Sequence, residues 1–212
     1  MKKSIVIVEK NFFTYNEEKY DFDRVTEMKH LLKPNIKLII LEEDLCVKQF
    51  TNKIKGRKIY EFIDYKINND FPQNGDILYD FEKNKNVIAI YYIKGAKRIE
   101  KLSDIANNIE VKPIQFIVKD VMKKVLKSDV FNCKVLTKIN EYYYYMLFTE
   151  GLFYYGFVKG NKESVVNILF ENNDFGEIYI DNDIIDDLFI EDKFKIIKIN
   201  LGELINEKIY EK

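Results

Sequence analysis

Ile36-Lys37-Leu38-Ile39-Ile40-Leu41, then Glu42-Glu43-Asp44, then Leu45-Cys46-Val47-Lys48-Gln49-Phe50: an apolar run, an acidic break and a second strand-forming run decide how this chain is read. From residue 57 to 70 the apolar positions Ile59, Phe62, Ile63 and Ile67 recur at three and four, which puts them on one helical face. Pro72 ends that helix, because a proline disfavours helix at the residue before it. Residues 77–81 and 87–93 are apolar runs on either side of a polar turn, so a second hairpin is expected there. Ile99, Leu102, Ile105, Ala106 and Ile109 then trace one helical stripe. After Pro113, the residues Ile117, Val121, Met122 and Val125 trace another, closed by Lys123, Lys124 and Lys127 at the negative end of the helix dipole. Residues 36–126 therefore read β-β-α-β-β-α, an α+β unit.

Outward from that block the pattern continues in both directions. Residues 5–8 and 12–15 form an opening hairpin. Asp21 or Asp23 is placed to cap a helix carrying Val25, Met28, Leu31 and Leu32, which Pro34 stops. The pattern resets around residues 127–132. Beyond it residues 142–148 and 152–158 form two aromatic strands around Thr149-Glu150-Gly151. A helix over 162–171, a strand over 177–180, a short helix over 183–189, a strand over 194–199 and a helix over 203–210 complete the chain. Hairpin, helix and strand in residues 4–41 are echoed in 142–180, a repeat of pattern without sequence identity.

Composition bounds the function classes. With 47% hydrophobic and 33% charged residues the chain is a folded protein, and 34 Lys+Arg against 35 Asp+Glu leave no field to attract nucleic acid or an anionic membrane. Three prolines and eight glycines argue against long linkers and against a glycine-rich phosphate loop. Cys46 and Cys133 read as reduced core residues of an intracellular protein, and the single histidine, His30, reads as a partly buried residue beside an apolar stripe and excludes a histidine-rich metal site. The first residues lead into only four apolar positions, too few for a signal peptide, and no run approaches the roughly 20 residues of a membrane span.

The segment Leu41-Glu42-Glu43-Asp44-Leu45-Cys46-Val47-Lys48-Gln49-Phe50, a helix, Phe71-Pro72, Asp76-Ile77-Leu78-Tyr79-Asp80-Phe81 and Val87-Ile88-Ala89-Ile90-Tyr91-Tyr92-Ile93 resembles the insert subdomain of PilM-like type IV pilus assembly proteins. It is similar also to the cytoplasmic domain of the type II secretion protein GspL. The resemblance implies a degenerate actin-like (RNase H-like) fold of mixed α+β class. Two ββαβ-type halves are expected: residues 1–127 with an insert over about 42–112, and a reduced half over 133–212. Nucleotide-binding members carry an aspartate with small residues and glycine in the first hairpin of each half, where backbone amides approach phosphates. Here the first hairpin reads Ile7-Val8-Glu9-Lys10-Asn11-Phe12-Phe13, and the second, taken as Leu147-Phe148-Thr149-Glu150-Gly151-Leu152, has one glycine and no aspartate. ATP binding is therefore expected to be lost, and no cofactor, metal or catalytic residue is assigned.

The implied role is a non-catalytic cytoplasmic scaffold of a type IV pilus or type II secretion platform, peripheral at the inner face of the cytoplasmic membrane. Its partners would be a bitopic inner-membrane protein and the motor ATPase, with any membrane span beyond Lys212. Family members bind the membrane partner in the cleft beside the insert, which places the surface at residues 36–50 and the first hairpin. The residues assigned to partner binding are Phe12, Phe13, Val47, Phe50, Tyr142, Tyr144 and Tyr154. The run Tyr142-Tyr143-Tyr144-Tyr145 places aromatics on both faces of a hairpin, so both need cover, from helices or, on one face, from a partner. The alternative is an enzyme, an atypical ATPase or an RNase H-like nuclease holding metal at Asp76, Asp80 and Glu82. The ordinary reading of those acids, of Glu42-Glu43-Asp44 and of Asp181, Asp183, Asp186 and Asp187, is solvated turns.

Overall fold

In the computed structural model, residues 3–211 are described apart from positions 52, 55, 57, 74, 172–175 and 189–193. The chain opens with β1 (Ser4–Val8), β2 (Phe12–Tyr15) and β3 (Glu18–Asp21), an antiparallel meander, and β4 (Asn35–Ile40) then runs parallel to β1. Next come β5 (Cys46–Thr51), α1 (Lys58–Asp70), β6 (Ile77–Lys83) and β7 (Val87–Lys94), which fold apart as a three-stranded sheet in the order β5-β7-β6. After α2 (Ala96–Ser103), β8 (Asn108–Pro113) returns to pair in parallel with β4, and α3 (Ile114–Leu126) follows directly. The expected insert ran over about 42–112. The three-stranded sheet and its helix occupy 46–94, while β8 belongs to the first sheet.

The second sheet repeats the first. Its strands are β9 (Cys133–Ile139), β10 (Tyr142–Thr149), β11 (Leu152–Lys159), β12 (Glu177–Asp181) and β13 (Lys195–Ile199). Helix α4 (Lys162–Glu171) precedes β12, a 3-10 turn and the short α5 (Ile185–Leu188) follow it, and α6 (Leu201–Tyr210) follows β13. The orders β3-β2-β1-β4-β8 and β11-β10-β9-β12-β13 are the same, with third, second and first strands antiparallel and first, fourth and fifth parallel. The pattern-level echo is a structural repeat, but its second copy starts at β9 and not at residue 142.

Burial explains the composition. β4 lies between two parallel neighbours with both faces covered over Leu38, Ile39 and Ile40, which is why that run is apolar and does not alternate, while Lys37 before it is half-buried and donates to the Ile209 carbonyl at 3.2 Å. Helix α3 is buried almost all round, packs on α6, and joins a core that draws on β1, β4, β9, β10 and α6. Tyr144 and Met146 face this core; Tyr143 and Tyr145 face a second one with Val165, Leu169 and Ile178. Both faces of β10 are thus covered from within the chain, while Tyr154 and Tyr155 on β11 remain exposed. A third core under α1 gathers Ile59, Ile63, Phe71, Ile88 and Ile90.

Several local expectations are corrected. Phe22–Met28 is a 3-10 turn in which Asp21 makes no cap bond, Leu31 is half exposed and His30 is exposed, because the segment after β3 is too short to bury a full helical stripe. Helix α2 stops at Ser103, and Ile109 points from a strand. β3 and β9 lie outside the expected elements altogether. Each half therefore opens with three strands where two were expected. Both cysteines are free; Cys133 is buried, which pushes its thiol up to about 12, whereas Cys46 on β5 is only half-buried. Positions 57 and 189, at the ends of two expected helices, lie outside the described residues.

Candidate functional site

In open sheets of this kind, ligands bind beyond the carboxyl ends of the parallel strands, where the strand order reverses. β1 and β9 are the reversal points of the two sheets, and their carboxyl ends face a common cleft of about 820 Å³. One wall carries Glu9, Phe12, Leu41 and Glu42, the opposite one Lys138, Ile139, Asn140 and Tyr142, and α6 supplies Gly202 and Ile205. The true counterpart of the first hairpin turn is thus Asn140-Glu141, between β9 and β10. Thr149-Glu150-Gly151 is a different turn, whose Gly151 (φ 75°) sits against the Asp129 carbonyl where a Cβ would not fit.

The two turns touch. Asn140 Nδ2 donates to Glu9 Oε1 at 2.9 Å, and Thr14 Oγ1 reaches Glu9 Oε2 at 3.5 Å. Glu9 is only 4% exposed. Burial, and after it the neighbouring Glu42 carboxylate, hold the Glu9 carboxyl above its ordinary value, and the Asn140 hydrogen bond offsets part of that rise.

The acidic turn that breaks the opening stretch is not merely solvated; each acid binds a different element. Glu42 Oε2 accepts from the Lys10 amide at 3.1 Å, and the Glu42 amide, on a residue with φ 64°, donates to the Tyr144 hydroxyl at 2.8 Å. Glu43 Oε1 accepts from Arg98 at 2.6 Å, and Arg98 also donates to the Glu9 carbonyl at 2.9 Å. The Glu43 carbonyl accepts from Gln115 of α3 at 2.9 Å, and Asp44 caps the Val158 amide at the edge strand β11 at 2.8 Å. Asp181 departs from the solvated reading too. It is buried, accepting from Thr137 Oγ1 at 3.0 Å and from the Gly202 amide at 2.8 Å. Asp183 and Asp186 are exposed, and the side chain of Asp187 lies outside the described residues.

A second, smaller depression of about 240 Å³ lies between the three-stranded sheet and β8–α3. Leu45, Leu78, Tyr91, Ile93, Val111 and Phe116 give it an apolar lining, with Asp80 beside them. Outside this lining, Glu82 of β6 pairs with the buried Lys119 of α3 and accepts from the hydroxyl of the groove residue Tyr91 at 3.1 Å. Glu82 is thus occupied as a structural anion. Asp76 accepts from the Lys97 amide at 3.0 Å and Asp80 from its neighbouring amide of Phe81 at 2.7 Å. Among the described residues no three His, Cys, Asp or Glu side chains are grouped to hold a metal.

The residues assigned to partner binding do not form one patch. Phe12 and Tyr142 line the large cleft. Phe13 and Tyr144 are fully buried and have no surface to offer a partner. Val47 packs on the main core, and Phe50 packs edge-on to Phe62 of α1 at 5.6 Å with Lys66 over its ring. Tyr154 is 50% exposed on β11, away from the cleft lining. Of residues 36–50, only Leu45 enters the smaller groove. Arg98 and Asn140, which organise the cleft, were missed, and Asp181 was read as solvated; with β9 unplaced, nothing in the sequence signalled that residue 140 lies opposite residue 9.

No protein-family model and no curated protein sequence matches the chain. Solved structures do. A Bacteroides thetaiotaomicron protein with an actin-like ATPase fold and unknown function is 8% identical, with a TM-score of 0.59 over 96% of this chain and 95% of that one. A PilM–PilN type IV pilus biogenesis complex contains a chain 11% identical, with a TM-score of 0.56 over 90% of this chain and 77% of that one. The cytoplasmic domain of EpsL, an inner membrane component of the Vibrio cholerae type II secretion system, is 7% identical with a TM-score of 0.52 over 96% and 92%. The chain therefore has the actin-like ATPase fold, as the opening stretch implied.

Proposed function

We propose that the chain is a non-catalytic scaffold of a type IV pilus or type II secretion assembly platform, working at the inner face of the cytoplasmic membrane. It divides at about residues 127–133 into two actin-like halves. Its partners are the cytoplasmic segment of a bitopic membrane protein, received in the apolar groove between the three-stranded sheet and β8–α3, and the motor ATPase. No helix among the described residues is long and apolar enough to cross a membrane, so attachment would come through the partner or a further segment.

What supports a scaffold over an ATPase is the state of the amides around the large cleft. A phosphate-binding cleft keeps backbone N–H groups for its ligand. Here the Lys10 amide is taken by the Glu42 carboxylate, the Gly202 amide by Asp181 and the Glu42 amide by Tyr144. A phosphate would have to displace the protein's own carboxylates and sit beside Glu9.

The test has two arms. Calorimetric titration with Mg-ATP is expected to give no binding, and hydrolysis no turnover. The cytoplasmic segment of a bitopic inner-membrane pilus or secretion protein from the same genome is expected to bind, and Leu78→Glu in the groove to weaken it at least about tenfold, since a buried charge is left unpaired. ATP turnover, or a segment whose binding ignores Leu78→Glu, would refute the reading.

A further inference from the structure

The chain passes from the first five-stranded sheet to the second only once, between α3 and β9, and two lobes joined in this way around a cleft ordinarily hinge. What opposes hinging here is the three-stranded sheet. On the first half it is fastened by the ion pair of Glu82 with the buried Lys119 of α3. Its edge strand β5 lies against β11, the edge strand of the second sheet. β11 is held near both ends. The Val158 amide donates to Asp44 Oδ1 at 2.8 Å, just ahead of β5, and the Phe153 amide donates to the hydroxyl of Tyr91 on β7. Tyr91 is 1% exposed, and its ring stands edge-on to Phe116 of α3 at 5.0 Å and to Phe153 at 6.4 Å between centres. One buried side chain thus joins the three-stranded sheet to both halves. At its far end two hairpin tips meet, Asn84 Nδ2 donating to Glu150 Oε2 at 2.8 Å.

Further bonds between the halves lie beside the cleft, from Asn140 to Glu9 and from the Glu42 amide to Tyr144, and at the end of α6, where Lys37 Nζ donates to the Ile209 carbonyl. Parting the halves would break these bonds together with those on β11 and open the Tyr91–Phe153 contact to water. We infer that the three-stranded sheet is a strap: it spans both halves, holds the cleft at one width, and must lift off β11 before the halves can part. Lifting it bares the outer edge of β11 beside the exposed Tyr154 and Tyr155, an edge able to pair with another chain. The cleft is therefore a fixed seam, released only through the strap. The inference does not depend on the partner assigned to the groove.

The test is hydrogen exchange by mass spectrometry, with small-angle X-ray scattering, on the full chain carrying Asp44→Ala and Asn84→Ala together. Both side chains lie at surface turns, so the variant should fold, and Tyr91→Phe serves as a second, buried perturbation. Exchange over β11 is expected to rise at least about tenfold in the double variant. Exchange in the turn at residues 139–142, which neither substituted side chain touches, should rise with it, and the scattering should report a larger radius of gyration. Asp44→Asn, which keeps an oxygen for the Val158 amide, should restore most of the protection when paired with native Asn84. Exchange over β11 that stays as in the parent would overturn the inference. So would a rise confined to β11 with the 139–142 turn and the radius unchanged, since the sheet would then cover the edge without holding the halves.

Discussion

Removing the Arg98 side chain should loosen the joint on which the cleft is built. Its guanidinium donates to the Glu9 carbonyl at 2.9 Å and to Glu43 Oε1 at 2.6 Å, so one side chain of α2 holds both the first hairpin turn and the acidic turn after β4. The two partners of the ion pair are 19% and 14% exposed. Two bonds to a charged group at roughly 1.5–3 kcal/mol each set an upper bound near 6 kcal/mol. Water reaches part of both side chains and replaces some of that, so Arg98→Ala should cost about 2–4 kcal/mol. Alanine is the strongest helix former, so none of the loss comes from helix propensity. At roughly 2–4 °C per kcal/mol for a chain of this size, the melting temperature should fall by about 4–16 °C. Glu43→Ala should cost a similar amount, and the double variant less than the sum by at least about 1 kcal/mol, because each single change strands the other charge. A double variant whose loss equals the sum of the single losses, or an Arg98→Ala protein melting within about 1 °C of the parent, would show that the pair does not hold the turns.

Tyr144→Phe removes the acceptor of the Glu42 amide and leaves that donor buried, so a loss of about 1–3 kcal/mol is expected in urea unfolding. An unchanged midpoint would mean that the hydroxyl is dispensable. Gly151→Ala combines a left-handed φ of 75° with overlap onto the Asp129 carbonyl, and should cost about 2–4 kcal/mol, against roughly 1–2 kcal/mol for Gly56→Ala, which has a left-handed φ of 65° but meets open space. Equal losses at both sites would remove the steric part of that explanation. Glu9 titrates above its ordinary value of 4.5 in the folded state, so between 4.5 and that raised value the native protein holds more proton than the unfolded chain. Its stability should therefore fall, relative to Glu9→Gln, as the pH rises through that window, and then stay level above it. Melting curves of the two proteins that run parallel across this range would contradict the raised value.

Much of the fold was legible because it rests on strong periodicity. The β4 run, the α1 and α3 stripes and the β6–β7 hairpin each bury a wide apolar face, and tertiary packing had no reason to override them. The tyrosine hairpin was legible for its chemistry and misleading for its place in the order. Its aromatics drew attention from β9, whose Cys133-Lys134-Val135-Leu136-Thr137-Lys138-Ile139 does not alternate cleanly and is a quieter signal, yet is the first strand of the second half. Placing the repeat one strand late put Gly151 where Asn140 belongs, and the cleft could not be assembled from sequence. Acidic turns were misread for a related reason. A carboxylate satisfied by an amide distant in sequence, as Asp44 is by Val158 and Asp181 by Gly202, looks locally the same as one satisfied by water.

The two halves use one strand order, yet each closes its own phosphate-type position with a carboxylate near the carboxyl end of its fourth strand. In the first, Glu42 follows β4 and takes the amide of Lys10 in the opening turn; in the second, Asp181 ends β12 and takes the amide of Gly202 at the start of α6. Two carboxylates, in parts of the chain with no sequence in common, each occupy an amide beside the cleft and leave its shape intact. A carboxylate accepting from an amide makes a charge-assisted bond, stronger than the neutral bonds a vacant amide would make with water. Releasing both amides for a phosphate would forfeit two such bonds and bring like charges together beside a carboxylate that is already shielded from solvent. The strand order supplies the shape of the cleft, and the side chains around it decide which of its amides are free.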